Sequence, residues 1–237
     1  MDIEQQILKK LMYNKGMSYN RLRDEVPSNK FAYHLGKLVE KNIIKKTIKK
    51  GDEADIYELT PEGIHLVSSI DGQEIKQTKK PIVCTFVLGS QDGKLLLNRR
   101  EKQPFLDYVG VPGGKVEFGS LLPEEAAREF LEETGLVAKK MELKHITNYR
   151  TYDKPTGKLT HHVIGFFFLA TEISGDLIAK TREGSNLWVT LEETEKMKMY
   201  PDFPSFSKAL LEGTEVTFQE ADRYTQDGEF AGITFLD

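Results

Sequence analysis

The ten residues from Glu124 to Glu133 carry five glutamates, inside the run GGKVEFGSLLPEEAAREFLEETGL that spans residues 113–136. Pro123 followed by Glu124 and Glu125 has the composition of a first helical turn, where the dipole favours negative charge. Gly135 suits a helix C-cap. The run therefore predicts one helix, yet acids three or four residues apart on a helix repel by about 0.2–0.5 kcal/mol per pair. A chain that keeps them must leave them to water or place positive charge among them. At about 100° per residue, with Glu129 at 0°, Glu125 falls at about −40°, Glu132 at about −60° and Glu133 at about +40°. Ala127, Phe130, Leu131 and Thr134 cover about 100° to 200° and are expected to pack on a sheet, with the carboxylates on the other side. Arg128, one turn from both Glu124 and Glu132, can pair with and orient an acid. A solvated acidic face is the plain alternative. Against it, the stretch GVPGGKVEFG just upstream is rich in glycine, which lets backbone approach a ligand closely.

The length of 237 residues suits one or two domains. No apolar run approaches the ~18 residues of a membrane span, and Met1–Lys10 is too polar for a signal peptide. Cys84, the only cysteine, sits in the apolar run PIVCTFVLG, which excludes a disulfide within the chain and reads as a buried strand thiol. A cytoplasmic protein is expected. Residues 1–80 hold 15 Lys/Arg against 12 Asp/Glu, and the remaining 157 residues hold 18 against 25, so a mildly basic front precedes an acidic back.

The front reads as a small helical unit. Ile3, Ile7, Leu8 and Leu11 recur at helical spacing, and MSYNRLRDEVP is expected to form a helix from the capping Ser18 to a stop at Pro27. SNKFAYHLGKLVEKN starts at Ser28 and puts Phe31, Leu35, Leu38 and Val39 on one stripe. IIKKTIKK and ADIYELT predict two short strands around GDE, and TPEGIHLVSSI a closing helix with Pro61 in its first turn. This order resembles a winged helix-turn-helix domain, over residues 1–72. The resemblance implies a helix that meets duplex DNA with Asn29, Lys30, Tyr33, His34 and Lys37, and a wing that brings Lys45, Lys46, Lys49 and Lys50 toward phosphates. A net charge of only +3 over residues 1–80 is a weak footprint for nucleic acid, and a protein-docking or dimerisation module is the alternative.

The polar, lysine-rich residues 73–80 predict a linker, and residues 81–237 a second domain. There PIVCTFVLG, the turn SQDG and KLLLNRR predict a hairpin. MELKHITNYRTYD and LTHHVIGFFFLA predict a long hairpin around KPTGK. NLWVTL predicts a strand, PSFSKALLEG a C-terminal helix, and EVTFQEA with EFAGITFL a last hairpin. His161 and His162 fall on opposite faces of a strand and receive no role.

The pattern of a glycine, five residues, a glutamate, seven residues and then Arg-Glu-apolar-x-Glu-Glu-x-Gly-apolar is the Nudix box. From Gly114, this chain supplies Arg128, Glu129, Phe130, Glu132, Glu133, Gly135 and Leu136 in register, and the flanks LLLNRREKQPFLDYVGVPGGKVE and LWVTLEE are also similar to that family. The resemblance covers about residues 81–212. With the resemblance over residues 1–72, it implies an α/β (α+β) chain, a winged helix domain followed by a mixed β-sheet sandwiched between helices. It also implies hydrolysis of a nucleoside diphosphate linked to another group. The box's first glutamate falls on Ser120; Glu117 and Glu125 are candidates to compensate.

The implied site follows residue by residue. Glu129, Glu132 and Glu133 hold Mg2+, with Mn2+ as a substitute, and Arg128 orients them. Arg99, Arg100, Gly113, Gly114 and Lys115 meet the substrate's phosphates, and Glu183 is a candidate general base. Phe105, Tyr108, Tyr149, Tyr152 and Phe203 can stack on a base, although core packing accounts for most of them. The rival is a DNA-binding regulator whose Nudix domain senses a nucleotide metabolite; the surviving box acids favour catalysis. The expected partners are a nucleotide-type diphosphate and duplex DNA, with no membrane and with a homodimer left open.

Overall fold

In the computed structural model the chain divides into two compact units, Met1–Lys79 and Lys80–Asp237. The structure describes residues 2–48, 54–68, 80–102, 105–182 and 184–236. Lys49 and Lys50, Glu183, and all but Lys80 of the expected linker lie outside the described residues.

The first unit runs α1 (Ile3–Met12), β1 (Met17–Ser18), α2 (Tyr19–Arg23), α3 (Ser28–Glu40), β2 (Ile44–Thr47), β3 (Ile56–Leu59) and α4 (Pro61–Ser68). Its three strands pair antiparallel in the order β1-β3-β2. Asp2 and Gln5 form a capping box on α1, so its first turn leaves few donors unpaired. The apolar stripes meet as Ile7, Leu8 and Leu11 against Phe31, Leu35 and Leu38, with Leu22 and Ile44 closing the core. Val39 departs from its expected stripe and is 37% exposed. α2 stops at Arg23 rather than at Pro27, because Asp24 turns to φ 53°. α3 ends in a Schellman motif: Ile43 N–H donates to Leu38 O (2.9 Å), Asn42 N–H donates to Val39 O (3.0 Å), and Asn42 takes φ 56°. The two-residue strand β1 is too short for any alternating pattern to announce it.

The second unit runs β4 (Ile82–Gln91), β5 (Lys94–Arg100), β6 (Val109–Gly110), β7 (Gly113–Lys115), α5 (Leu122–Thr134), β8 (Leu136–Asp153), β9 (Lys158–Gly175), β10 (Gly184–Val189), α6 (Leu191–Thr194), α7 (Phe203–Glu212), β11 (Thr217–Gln226) and β12 (Glu229–Leu236). The sheet order is β10-β5-β4-β9-β8-β11-β12, with β6 on β5 and β7 on β4. β4 with β9 and β8 with β11 run parallel and the other pairs antiparallel, so the sheet is mixed. Asp92 (φ 52°) and Gly93 (φ 74°) make a two-residue turn between β4 and β5. Asp227 (φ 52°) and Gly228 (φ 82°) make its counterpart between β11 and β12. Positive φ at both central residues is the geometry an Asp-Gly pair supplies most readily.

Consecutive apolar residues in the central strands reflect burial on both faces. Val87, Leu96 and Phe168 meet Ala126 and Phe130 of α5, whereas Leu88, Leu95, Leu97 and Phe167 meet Phe203, Phe206 and Leu210 of α7. Cys84 is buried in β4, and that burial pushes its thiol up to about 11. The last hairpin is tied to the α7 side through charge. The Arg223 guanidinium of β11 lies 3.7 Å from the centroid of the buried Tyr149 ring and pairs at 2.5 Å with Asp202, which is 1% exposed just before α7. Removing one member of such a pair leaves an uncompensated charge in a poorly solvated place. Asp202→Ala is expected to lower unfolding free energy by about 3–5 kcal/mol, read by urea denaturation. A loss under about 1 kcal/mol would show that Arg223 is solvated without it.

Candidate active site

α5 begins with Pro123 and two acids and ends at Gly135, whose φ of 75° terminates the helix while its N–H donates to Leu131 O (2.8 Å). Its buried arc is not the one expected from the helical wheel. Ala126, Phe130, Thr134 and Glu125 are buried, whereas Ala127 is exposed and Leu131 is 47% exposed. The acids therefore flank the buried arc instead of opposing it. Glu129 and Glu133 reach the strand Gly113–Lys115, whereas Glu132 is 59% exposed beside Arg128.

Two glycines make that approach possible. A Cβ on Gly113 would stand 2.2 Å from Thr85 O, and one on Gly114 would stand 2.4 Å from the Glu129 carboxyl carbon. The run read as a ligand loop is thus partly the short strand β7, paired with β4, and the close approach it permits here is to Glu129. Gly113 N–H donates to Glu133 Oε2 at 2.9 Å, which ties the far end of the acidic helix to the same strand.

Arg128 is the charge that offsets the acids. Its Nη2 donates to Glu125 and, at 2.8 Å, to Glu129 Oε1; its Nη1 donates to Glu132 Oε2 at 2.9 Å; Glu117 stands 3.8 Å away. The expected pairing with Glu132 is present, and Glu125 fills the place proposed for Glu124. The hydrogen bond from Arg128 holds the Glu125 carboxyl below its ordinary range against the opposing effect of burial, with a further bond from Ser120. Burial raises Glu129, and Arg128 only partly counters it. The guanidinium is held firmly protonated, first by Glu125 and then by Glu132.

Among the described residues, no three His, Cys, Asp or Glu side chains stand ready to hold a metal ion. Glu129 and Glu132 are turned onto Arg128, and Glu133 onto Gly113. The donor set nevertheless suits a hard divalent cation, being all carboxylate oxygen on successive turns of one helix edge. Arg128 bonds one oxygen of each of Glu129 and Glu132, so it does not take the second oxygen of either carboxylate.

The other expected substrate contacts are less concentrated. Arg99 and Arg100 are neighbours at the end of β5, so alternation sends them to opposite faces and one at most can serve a single site. Lys115 is exposed at the end of β7. Tyr149 and Phe203 are core residues, Phe105 and Tyr108 join Tyr200 and Phe230 in an aromatic cluster, and Tyr152 stacks on Tyr224. His162 bonds Asn148 at 2.7 Å, away from any set of ligands.

One supporting residue has no motif to betray it. Buried Asn186 on β10 donates to Glu133 O (2.6 Å) and Ile178 O (2.8 Å) and accepts from Asn98 (2.8 Å). It satisfies a carbonyl in the last turn of the acidic helix, one of the groups a helix end leaves unpaired. An amide at the start of the otherwise apolar run NLWV is the only hint of it in the sequence.

In the first unit, the start of α3 exposes Asn29, Lys30 and Tyr33, the last 60% exposed with Lys37 Nζ 4.7 Å from its ring centroid. His34 turns back to Glu4 of α1 at 3.1 Å. Lys45 pairs with Glu58 at 3.4 Å and Lys46 with Asp55 at 2.7 Å, so much of the expected wing charge is met within the unit. No helix among the described residues is long and apolar enough to cross a membrane.

The sequence profile of the NUDIX domain matches residues 78–210. The chain is 33% identical over 151 residues to an ADP-ribose pyrophosphatase of Methanocaldococcus jannaschii, covering 63% of this chain and 72% of that protein. It is 30% identical over 169 residues to an ADP-ribose pyrophosphatase of Bacillus subtilis, covering 68% of this chain and 83% of that one. In fold it is similar to the crystal structure of a MutT protein from Bacillus halodurans, with a TM-score of 0.53 and 24% identity over 65% of this chain and 97% of that chain. The match in residues 78–210, the mixed sheet between two helices and the acids gathered around Arg128 agree: this chain belongs to the Nudix hydrolase family.

Proposed function

We propose that the second unit hydrolyses a nucleoside diphosphate linked to a second group, with ADP-ribose as the first substrate to test. The observation that carries this reading is the set of box acids on one edge of α5, Glu129 and Glu132 held by Arg128 and Glu133 by the Gly113 N–H. The names of the two relatives support the choice of substrate.

The reaction adds water to one phosphorus, breaks the bridging P–O bond and releases two phosphate monoesters. When bound, a divalent cation such as Mg2+, or Mn2+ in its place, would offset phosphate charge and acidify a water molecule. Glu129, Glu132 and Glu133 are the residues that would hold it. Arg128 keeps the carboxylates from repelling one another apart, and the bare backbone of Gly113 and Gly114 lets Glu129 and Glu133 lie against β7. Lys115, and whichever of Arg99 and Arg100 faces the site, adds positive charge for the diphosphate. Glu183 remains the candidate general base.

We also read the first unit as a winged helix-turn-helix module that meets duplex DNA chiefly through charge. The exposed Asn29, Lys30 and Tyr33 at the start of α3, with the small antiparallel sheet beside them, support it.

Incubating the full chain with ADP-ribose and Mg2+ is expected to yield AMP, and chelation with EDTA to abolish the yield. Glu132→Gln and Glu133→Gln should each lower kcat by about 100-fold or more while circular dichroism stays unchanged. Wild-type turnover in either folded variant would place the metal elsewhere. For the first unit, titration of a fluorescent duplex should show log K falling by about 0.9 per phosphate contact for each log unit of salt. Lys30→Ala/Lys37→Ala should flatten that slope; equal binding by both proteins, or none at low salt, would leave the unit a docking module.

A further inference from the structure

The box of this chain lacks its first acid, and the geometry supplies another in its place. Ser120 lies in the tight turn before α5, where its N–H donates to Glu117 O at 3.2 Å and the preceding Gly119 has φ 93°. One turn later Glu125 is 2% exposed although it carries a charge. Arg128 Nη2 donates to that carboxylate, and the nearby Ser120 and Glu117 backbone help hold it ionised. A buried carboxylate persists only when it is paired and hydrogen-bonded, and as a contributor to stability it is poor. Its position therefore asks for another reason, and Arg128 provides one. The guanidinium is a rigid planar fork, so an acid that fixes one of its nitrogens fixes the direction of the others. With Glu125 beneath Nη2, Nη2 also reaches Glu129 and Nη1 reaches Glu132.

We propose that Glu125 is the positioning residue for Arg128, standing in from the helix for the acid that the box places at residue 120. Ser120 is its complement. Serine at 120 adds no second negative charge in the turn before α5 and helps hold the Glu125 carboxyl low. Glu117 does not fill this role, since it is 72% exposed and 3.8 Å from Arg128, a distance and wetness at which a pair holds no fixed geometry. The inference rests on the hydrolase reading for its kinetic consequence, but its structural content concerns how Arg128 holds Glu129 and Glu132.

The test uses the full chain with Glu125→Ala, Glu125→Gln and the double variant Ser120→Glu/Glu125→Ala. It reads kcat and KM for ADP-ribose, Mn2+ affinity from the paramagnetic resonance of free Mn2+, and the thermal midpoint. Glu125→Ala should fold, lose about 10- to 100-fold in kcat with KM nearly unchanged, and bind Mn2+ more weakly. Glu125→Gln keeps the shape without the charge and should lose less. Moving the acid back to residue 120 in the double variant should recover most of both losses. That rescue separates positioning from mere packing, because Glu125→Ala leaves the same cavity in both proteins. Wild-type kcat and Mn2+ affinity in Glu125→Ala would overturn the proposal, as would a folded double variant no better than the single one. Should Glu125→Ala fail to fold, Glu125→Gln with unaltered kcat and Mn2+ affinity would overturn it equally. If wild type hydrolyses no diphosphate yet Mn2+ affinity falls and returns as described, the hydrolase reading fails and the positioning role stands.

Discussion

Arg128 is the charge on which the acidic helix depends. Four carboxylates lie within 4 Å of its guanidinium, from Glu117, Glu125, Glu129 and Glu132, and they approach from the loop, from beneath and from the next turns of α5. Without a cation there, acids at i,i+3 and i,i+4 would each cost the helix a few tenths of a kcal/mol, and the buried Glu125 far more. The repulsion that makes the segment look unfavourable as sequence is offset inside the segment itself.

The sheet gives this helix a fixed floor. β4 and β9 are buried on both faces, so each side of the strands is specified by its own cluster and a slip of one residue would exchange the two cores. β7 lies on β4, and Asn186 on β10 grips the last turn of α5, so both ends of the acidic segment are referred to the same rigid sheet. On the opposite face, Asp202 and Arg223 link α7 to the last hairpin. The hairpin reaches the sheet in parallel register with β8, a pairing that short-range alternation does not predict.

Most of this architecture was legible because two-sided burial and Asp-Gly turns leave local marks. The runs VLG and LLL, the turn at Asp92, the cap at Gly135 and the spacing of the box acids each depend on residues within one element. The misreadings share a cause. The wheel angles of α5 were right, but the arc that lies down is the one Ala126 and Phe130 pack on Val87, Leu96 and Phe168, so Ala127 and Leu131 stayed out. α2 ended early at a positive φ on Asp24, and Asn186 took its role from a carbonyl 53 positions back in the chain. Single-element patterns carry periodicity but not the direction from which a neighbour arrives.

The same distinction governs the first unit, where counting charges misleads about surface. The lysines at 45 and 46 alternate on β2, yet each finds an acid on or beside β3, and Lys10 pairs with Asp24 at 3.1 Å. His34, expected to project outward, is taken by Glu4. At the start of α3 Lys30 is exposed and Lys37 leans over an exposed tyrosine ring, while Lys15, Arg21 and Lys41 are exposed elsewhere on the unit. A surface of this kind combines a few cations with an aromatic face instead of a broad basic stripe. The net charge of the unit therefore says little about where its unpaired cations stand.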